Sequence, residues 1–324
     1  MTKILYTVCS ANHLAYAKTM ADSFCKHHTD YTIFICLADK VENRFDKNFF
    51  HPYNLIEVES IGIVEFEKMN KQYSLIELNC ALKPFFANYL IEKHNPEIVI
   101  YLDTDIYVYQ PFHVIEEYLQ EKSIVITPHF LTPITDNLLP RERDILRSGL
   151  YNAGFIALKI NNNSKQFLNW WSNHLIDECY YNFAEGMGVD QTWLNLVPLF
   201  FNEVCIAKNK ALNVAYWNLH ERNLSVKNNV VVVDDIEPLI FLHISGYKFE
   251  TPEILSRHQN RFELNKLPVL FQLLSNYKEK VKANNYDYFI ALPSVYAKPI
   301  KQSTGLMKTI NKWLKPFGVK ISNL

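Results

Sequence analysis

The stretch Ile98-Val-Ile-Tyr-Leu-Asp103-Thr-Asp105 constrains this chain more than any other. Four of the five residues from Ile98 to Leu102 are aliphatic, which is typical of a buried strand. Two carboxylates follow where the strand ends, the edge at which open α/β sheets bind ligands. Alternate side chains of an extended segment point the same way, so both can face one cation. Because Mg²⁺ and Mn²⁺ take oxygen ligands and hold phosphates, we interpret the pair as a metal-bridged diphosphate site; the alternative is a polar turn.

Composition limits how such a site could hold a phosphate. The 324 residues contain only 8 glycines and neither a G-x-G-x-x-G nor a G-x-x-x-x-G-K motif. A hydrophobic content of 48% is ample for a core and far from a disordered composition. Phosphate binding must therefore come from a cation, from side chains or from isolated amides.

Charge and cysteine usage indicate the compartment and exclude one class of partner. The net charge is −1, and the body before residue 291 is mildly acidic, so we expect no nucleic acid partner. The six cysteines form no C-x-x-C pair, which favours free thiols in a reducing compartment. The apolar start is too short for a signal peptide, and no run reaches the roughly 18 apolar residues of a spanning helix. We expect a cytoplasmic protein.

Hydrophobic periodicity predicts an α/β fold, whose first half alternates strands and helices as parallel nucleotide-binding sheets do. The predicted strands are 3–9, 31–37, 55–58, 98–102, 123–127, 153–158, 230–233 and 239–242. The predicted helices are 12–28, 74–93 with a kink or break at Pro84, 110–121, 163–181 capped by Asn162 or Asn163, 189–200, and most of the chain beyond Pro252. Residues 129–150 show no clean periodicity and predict a loop over a site.

Other segments offer partners for the two aspartates. His243 ends the apolar run Leu239-Ile-Phe-Leu, and two carboxylates with one imidazole suit Mn²⁺ better than Mg²⁺. Gly246 would let the backbone approach a phosphate, and Lys248 would add positive charge. The alternative is a histidine satisfied at a strand end and a surface lysine.

Polar residues that could face a sugar stand at two further places. Asn152 opens a predicted strand and is followed by the small residues Ala153 and Gly154. Asp190 and Gln191 begin a predicted helix. Amide side chains donate to and accept from sugar hydroxyls. The alternatives are a plain turn at 152–154 and helix capping by Asp190. Lys83 could reach a phosphate or a sugar, or could be a solvated surface lysine.

Taken in order, these motifs resemble the GT-A glycosyltransferases, and most closely the retaining family 8 enzymes. The matching elements are Tyr-Leu-Asp103-Thr-Asp105, Tyr-Asn152-Ala-Gly154, Asp190-Gln191-x-x-Leu-Asn195 and His243-x-x-Gly246, with Lys83 ahead of them and the strand Tyr6-Thr7-Val8-Cys9-Ser10 at the start. The resemblance covers roughly residues 1–250. It implies a GT-A domain at 1–250, followed by a helical extension at 251–290 and a basic amphipathic tail at 291–324.

The resemblance also implies a reaction, in which a sugar moves from a nucleotide diphosphate, with UDP implied, to an acceptor hydroxyl. Asp103, Asp105 and His243 would hold Mn²⁺ or Mg²⁺, and Asn152, Asp190 and Gln191 would line the donor sugar as catalytic residues. The donor-binding residues implied are Thr7, Cys9, Ser10, Lys83, Asp103, Thr104, Ala153, Gly154, Gly246 and Lys248. The segments 213–222 and 256–261 look like transferases of bacterial surface-polysaccharide assembly, which implies a glycan or lipid-linked acceptor.

The chain departs from the family pattern at two positions, and other functions stay open. Lys248 comes one residue early in the His-x-x-Gly-x-x-Lys pattern, and Thr192 stands where the family has a second acid. An inverting transferase would use Asp190 as general base. A metal-dependent nucleotidyltransferase or phosphohydrolase, or a non-catalytic sugar-nucleotide-binding protein, could use the same pocket.

The carboxyl-terminal segment 303–317 is amphipathic, with Leu306, Ile310 and Trp313 on one face and lysines opposite. This pattern is typical of a helix lying on an anionic membrane surface, and predicts a peripheral location at the inner face of the plasma membrane. The alternative is a terminal helix packed on the catalytic body.

Overall fold

The computed structural model describes residues 2–298. The predicted amphipathic segment 303–317 lies outside these residues. No helix in 2–298 combines the length and the hydropathy that crossing a bilayer requires.

Strands build a mixed sheet in the centre of the described chain. They are β1 Lys3–Cys9, β2 Tyr31–Leu37, β3 Asn54–Glu57, β4 Ile98–Leu102, β5 Ile106–Val108, β6 Ile124–Pro128, β7 Tyr151–Lys159, β8 Tyr181–Asn182, β9 Met187–Gly188, β10 Val204–Ile206, β11 Leu224–Lys227, β12 Val230–Val233, β13 Glu237–Pro238 and β14 Phe241–His243. Seven form one sheet in the order β10-β6-β7-β4-β1-β2-β3. Only β7 runs antiparallel to its neighbours in this sheet, β4 and β6.

Helices cover both faces of this sheet. They are α1 Leu14–Cys25, α2 Phe66–Gln72, α3 Leu75–Ala81, α4 Lys83–His94, α5 His113–Glu121, α6 Glu142–Ser148, α7 Asn162–Leu175, α8 Val197–Phe200, α9 Pro268–Ala283 and α10 Tyr286–Ile290. Alternate residues of β1 enter two cores, with Leu5 packing under α1, α5, α9 and α10 and Ile4 packing under α3, α4 and α7. The predicted α/β class is confirmed, and its sheet is mixed with helices on both sides.

The predicted strands 3–9, 31–37, 98–102 and 230–233 are confirmed with the same bounds. The predicted break near Pro84 is also confirmed, because α3 ends at Ala81 and α4 begins at Lys83 with a proline in its first turn. The predicted helix at 163–181 is too long. The observed helix, α7, ends at Leu175. It is capped by Asn161 and not by Asn162 or Asn163, because the Asn161 side chain accepts from the backbone N–H of Ser164 at 3.0 Å.

One further helix prediction is wrong, and the prediction of helix beyond Pro252 is confirmed, within the described residues, only for α9 and α10. Residues 189–200 form a 3₁₀ turn at Thr192–Leu196 and the short α8, because Val189 has φ of 53° and the Asp190 side chain turns away to Lys83. Beyond Pro252 the chain is irregular until a 3₁₀ turn at Leu264–Lys266, since Ser256, Gln259 and Arg261 bond backbone and loops instead of continuing a helix. The predicted loop at 129–150 contains the short α6.

The topology gathers polar residues at one edge of the sheet. Asp103 follows β4, and its backbone N–H donates to Gly154 of β7 at 2.8 Å. After Asp105 the chain enters β5, which pairs antiparallel with β14 so that Ile106 faces His243. A two-stranded ladder outside the main sheet therefore carries His243 back to the end of β4.

Candidate active site

Three side chains that sequence reasoning grouped as metal ligands lie together at this edge. His243 Nε2 is 3.1 Å from Asp105 Oδ1 and 3.9 Å from Asp103 Oδ2. One ligand atom from each residue lies within 4.8 Å of the others. His243 is buried, whereas the Asp103 and Asp105 side chains are 30% and 33% exposed, so the cluster opens toward solvent on its carboxylate side.

The opposite charges of His243 and Asp105 shift the pKa of each other. Burial disfavours the charged form of both His243 and Asp105, but each offsets that penalty for the other. The net effect raises the pKa of His243 and lowers the pKa of Asp105. A divalent cation would take the place of the imidazole proton between these groups.

A buried amide orients the imidazole. Asn213 Oδ1 lies 3.1 Å from His243 Nδ1, while its Nδ2 donates to Thr127 Oγ1 at 2.9 Å and Asn152 Oδ1 at 3.1 Å. With both amide protons donated elsewhere, the Asn213 oxygen is left to accept from Nδ1–H, which directs the free Nε2 lone pair at the carboxylates. Sequence reasoning singled out the segment starting at Asn213 but did not assign this residue a role, because its left-handed φ of 53° and its contact with His243 appear only in the structure.

Gly154 leaves the space that the imidazole occupies. A Cβ at this position would lie 2.4 Å from His243 Cε1 and 2.8 Å from Asp103 Oδ2. The small residue predicted to make room for a ligand therefore makes room for two of the proposed ligand side chains.

Lys83 is not a solvated lysine, because it lies buried between two carboxylates. Its Nζ is 2.8 Å from Asp190 Oδ2 and 3.3 Å from Asp103 Oδ1, donates to the Ala153 carbonyl at 3.1 Å, and sits 4.7 Å from the Tyr101 ring centre. Burial lowers the pKa of Lys83, but Asp103 and Asp190 outweigh it and raise that pKa well above its usual value. For Asp190 burial wins, so its pKa is raised despite Lys83.

The predicted sugar-facing amides bond to each other. Gln191 Oε1 accepts from Asn152 Nδ2 at 3.0 Å and from the Ala153 backbone N–H at 3.1 Å, and Gln191 Nε2 donates to the Ser148 carbonyl at 2.8 Å. Asp190 does not cap a helix as the alternative expected. The network fixes the end of β7 against the turn that carries Asp190.

Two adjoining cavities meet at the carboxylates. The larger, about 830 Å³, contains most of the predicted donor-binding residues: Cys9, Ser10, Lys83, Asp103, Thr104, Gly246 and Lys248. The smaller, about 350 Å³, is lined by Asn152, Ala153, Gly154, Asp190 and Gln191 and shares Lys83, Asp103 and Asp105 with the larger. Thr7 lines neither cavity, because its side chain is fully buried beneath the sheet edge.

The cavity walls also contain residues that sequence reasoning did not assign to the site. Tyr181 and Phe183, both about half exposed on the β8–β9 hairpin, line both cavities. His13 and Arg257 line the larger, and Trp217 packs edge-on against His243 in the smaller. These residues come from four separate segments, so no local motif brings them together.

Comparison with known proteins places the chain among proteins of similar length. No protein-family model matches it. It is 28% identical over 253 residues to the uncharacterized protein YfnF of Bacillus subtilis strain 168, covering 76% of this chain and 82% of YfnF. It is 22% identical over 250 residues to the uncharacterized protein YfnD of the same strain, covering 76% and 78%.

Three solved structures to which the chain is similar in fold are glycosyltransferases. The galactosyltransferase LgtC, in complex with donor and acceptor sugar analogues, matches 87% of this chain and 96% of its own length at 16% identity and a TM-score of 0.47. The glycosyltransferase GlyE of Streptococcus pneumoniae TIGR4 matches 91% and 66% at 17% identity and a TM-score of 0.47. Mouse xyloside xylosyltransferase 1 matches 67% and 88% at 12% identity and a TM-score of 0.41.

Proposed function

We propose that this chain is a glycosyltransferase, which transfers a sugar from a nucleoside diphosphate, with UDP the first candidate, to an acceptor hydroxyl. The observation that carries the proposal is the convergence of Asp103, Asp105 and His243 at the junction of two cavities. The larger cavity has the size of a nucleotide site. The smaller is lined by amide and carboxylate groups that suit a sugar.

The donor set fits a divalent metal ion. Two carboxylate oxygens and an imidazole nitrogen lie within reach of one ion, and Asn213 fixes the imidazole with its free nitrogen toward the carboxylates. A mixed oxygen and nitrogen set favours Mn²⁺ over Mg²⁺. When bound, the ion would offset negative charge on the leaving diphosphate.

The residues of the smaller cavity would bind and orient the sugar. The Asn152 and Gln191 side chains line the cavity and are held by each other and by the backbone of 148–154, so they have little freedom to move. Such preorganisation lowers the entropy cost of holding the donor in a reactive position. Lys83 would contribute by fixing Asp103 and Asp190.

We propose that the transfer retains the anomeric configuration. An inverting enzyme needs a free carboxylate as general base, but Asp190 is 1% exposed and paired with Lys83 at 2.8 Å. In the retaining route the departing phosphate oxygen takes the acceptor's proton, so no protein base is required. Proton NMR of the new linkage distinguishes the two, and an inverted product would overturn the retaining assignment alone.

The acceptor is proposed to be a glycan or lipid-linked saccharide of bacterial surface polysaccharide. Support comes from the sequence of residues 303–317, whose lysine-rich and apolar faces suit an anionic membrane surface. Flotation of the full chain with vesicles containing anionic lipid at low salt should recover it with the vesicles. Failure to float would end the membrane proposal and leave sugar transfer untouched.

Turnover of a panel of nucleotide sugars tests the function directly. Incubation with UDP-, GDP-, CDP- and ADP-sugars and Mn²⁺ should release one nucleoside diphosphate, and Asp105→Asn should lower that rate at least about 100-fold. Asp287→Asn, which alters an exposed carboxylate on α10 outside both cavities, serves as the matched control. Release of a nucleoside monophosphate with sugar 1-phosphate would indicate phosphohydrolase chemistry, release of sugar 1-phosphate alone would indicate nucleotidyl transfer, and either would contradict the proposal.

A further inference from the structure

The turn at residues 256–258 packs directly against the turn at 244–246, which follows the strand bearing His243. The Arg257 backbone N–H donates to the Gly246 carbonyl at 3.3 Å, and Ser256 is buried. Gly246 has φ of +74°, and a Cβ there would lie 2.5 Å from Ser256 Oγ and 2.6 Å from His258 Cδ2. Only glycine allows this approach, so residues 256–258 have a fixed position beside β14.

The other end of the same segment is anchored as firmly. The Arg261 guanidinium contacts both Asp136 oxygens at 2.8 and 2.9 Å and donates to the Leu138 and Pro140 carbonyls at 2.8 and 2.9 Å. This pairing lowers the pKa of Asp136 to about 2. The backbone that carries Arg257 is therefore held at both ends.

Arg257 and His258 project from this support into the site. Both line the larger cavity, and His258 also lines the smaller, so His258 stands where the two cavities meet and Arg257 lies beside it in the larger. Arg257 Nε donates to His258 Nε2 at 3.1 Å. Burial and the neighbouring guanidinium lower the pKa of His258, which keeps its Nε2 free to accept this bond.

The metal ion and Lys83 would leave part of the negative charge of a bound diphosphate without a compensating positive charge. A divalent ion held by Asp103 and Asp105 has its charge formally cancelled by those two carboxylates. Lys83 is already paired with Asp103 and Asp190. Among residues 2–298, the lysine and arginine side chains that line the larger cavity without a carboxylate partner are Lys248 and Arg257.

We propose that Arg257 binds the β-phosphate of the donor, with His258 as the residue that orients its guanidinium, and that Lys248 contributes less. This inference rests on the proposed function. In a nucleotide sugar the β-phosphate carries the sugar, so that phosphate would lie between the nucleotide in the larger cavity and the sugar in the smaller. Guanidinium forms a bidentate fork with phosphate oxygens, and its orientation is set here by His258. Both side chains are exposed, but Arg257 is already bonded to His258, whereas Lys248 makes no side-chain hydrogen bond within the described residues, so ordering Lys248 costs more entropy.

Calorimetric titration of UDP and UMP in the presence of Mn²⁺ tests the assignment. Arg257→Ala should weaken UDP binding on the order of 10- to 100-fold, the loss typical of a charge-assisted contact, and UMP binding by less than about 3-fold. Lys248→Ala should weaken UDP binding less than Arg257→Ala. Arg257→Lys should recover part of the loss, because the charge returns without the fork.

Arg143→Ala is the matched control, since Arg143 is exposed and lines neither cavity. It should bind both nucleotides as the wild type does. Unchanged UDP binding by Arg257→Ala, or equal losses for UDP and UMP, would overturn the inference while leaving the proposed function standing. If wild-type protein binds no nucleoside diphosphate at all, the proposed function itself fails, and the inference fails with it.

Discussion

Positive charge is used in opposite ways in two parts of this site. Lys83 is 4% exposed and contacts two carboxylates, a carbonyl and an aromatic ring, so its ammonium group already makes its hydrogen bonds inside the protein. Arg257 is exposed, and within residues 2–298 its one side-chain bond is to a neutral imidazole. A buried cation that is fully paired can fix the position of other groups, whereas a rim cation without an acidic partner is available to a ligand. The sequence shows two basic residues, and only their surroundings distinguish these roles.

Removing the buried cation should have the largest effect on stability. Lys83→Met would leave Asp190 buried without a counter-charge, which should lower the free energy of unfolding by about 3–5 kcal/mol. Urea denaturation followed by circular dichroism measures this. Lys165→Met, at an exposed position on α7, should change stability by less than about 0.5 kcal/mol. An equal, small effect for both variants would show that the pairing at Lys83 is not structurally important.

Crowding the proposed metal ligands should have an intermediate effect. Gly154→Ala places a methyl group 2.4 Å from His243 Cε1, so we expect a loss of about 1–3 kcal/mol of stability together with weaker Mn²⁺ binding. Gly62→Ala is the comparison, because Gly62 has φ of +68° but open space around it. That variant should lose about 1 kcal/mol through backbone strain alone and bind Mn²⁺ normally. Normal Mn²⁺ binding by Gly154→Ala would contradict the ligand arrangement.

A buried imidazole outside the site should give the smallest effect. His28 Nε2 accepts from the Phe112 backbone N–H at 2.9 Å, and burial lowers its pKa to about 4. The neutral form is favoured in the folded state, so this contribution is fully present above the unfolded pKa of about 6.5 and is lost as pH falls toward 4. Allowing for partial solvent screening, we expect about 1 kcal/mol between pH 7 and pH 5.

Urea denaturation of His28→Gln across the same pH range isolates this contribution. Glutamine keeps an acceptor for Phe112 but does not titrate, so the pH dependence should become shallower. His51→Gln, at an exposed position and not among the groups that shift the pKa of His28, should leave the pH dependence unchanged. If the free energy of unfolding of His28→Gln changed with pH as steeply as that of the wild type, the pH dependence would come from other groups.

Segments whose burial is set by a continuous apolar run could be predicted from sequence. Residues 3–9, 31–37 and 98–102 are buried on both faces of the sheet and form strands with the predicted bounds. The prediction failed where a side chain left the local pattern for a distant partner. Residues 189–200 have helical periodicity, but the bond of Asp190 to Lys83, more than one hundred positions earlier, is a tertiary contact that periodicity does not show.

The candidate site likewise contains some residues that the sequence indicates and others that only the structure identifies. Asp103 and His243 each follow an apolar run directly and Asp105 lies two residues beyond Asp103, which is a local signal, and the structure brings the three together. Asn213, which orients His243, and Arg257, which faces the larger cavity, carry no such signal. Their roles depend on the pairing of β5 with β14 and on the approach of residue 256 to Gly246, both long-range features. The domain limits and the individual roles of the site residues stay predictions.

The central claim is that Asp103, Asp105 and His243 hold a metal ion that binds a nucleoside diphosphate. Calorimetric titration of UDP, GDP, CDP and ADP with and without Mn²⁺, on wild type and Asp105→Asn, tests it most directly. We predict that one nucleotide binds only with Mn²⁺ present, and that Asp105→Asn weakens its binding at least about 100-fold. Binding that is independent of Mn²⁺, or that Asp105→Asn leaves unchanged, would contradict the claim. Asp103 and Asp105 would then be explained as a polar turn.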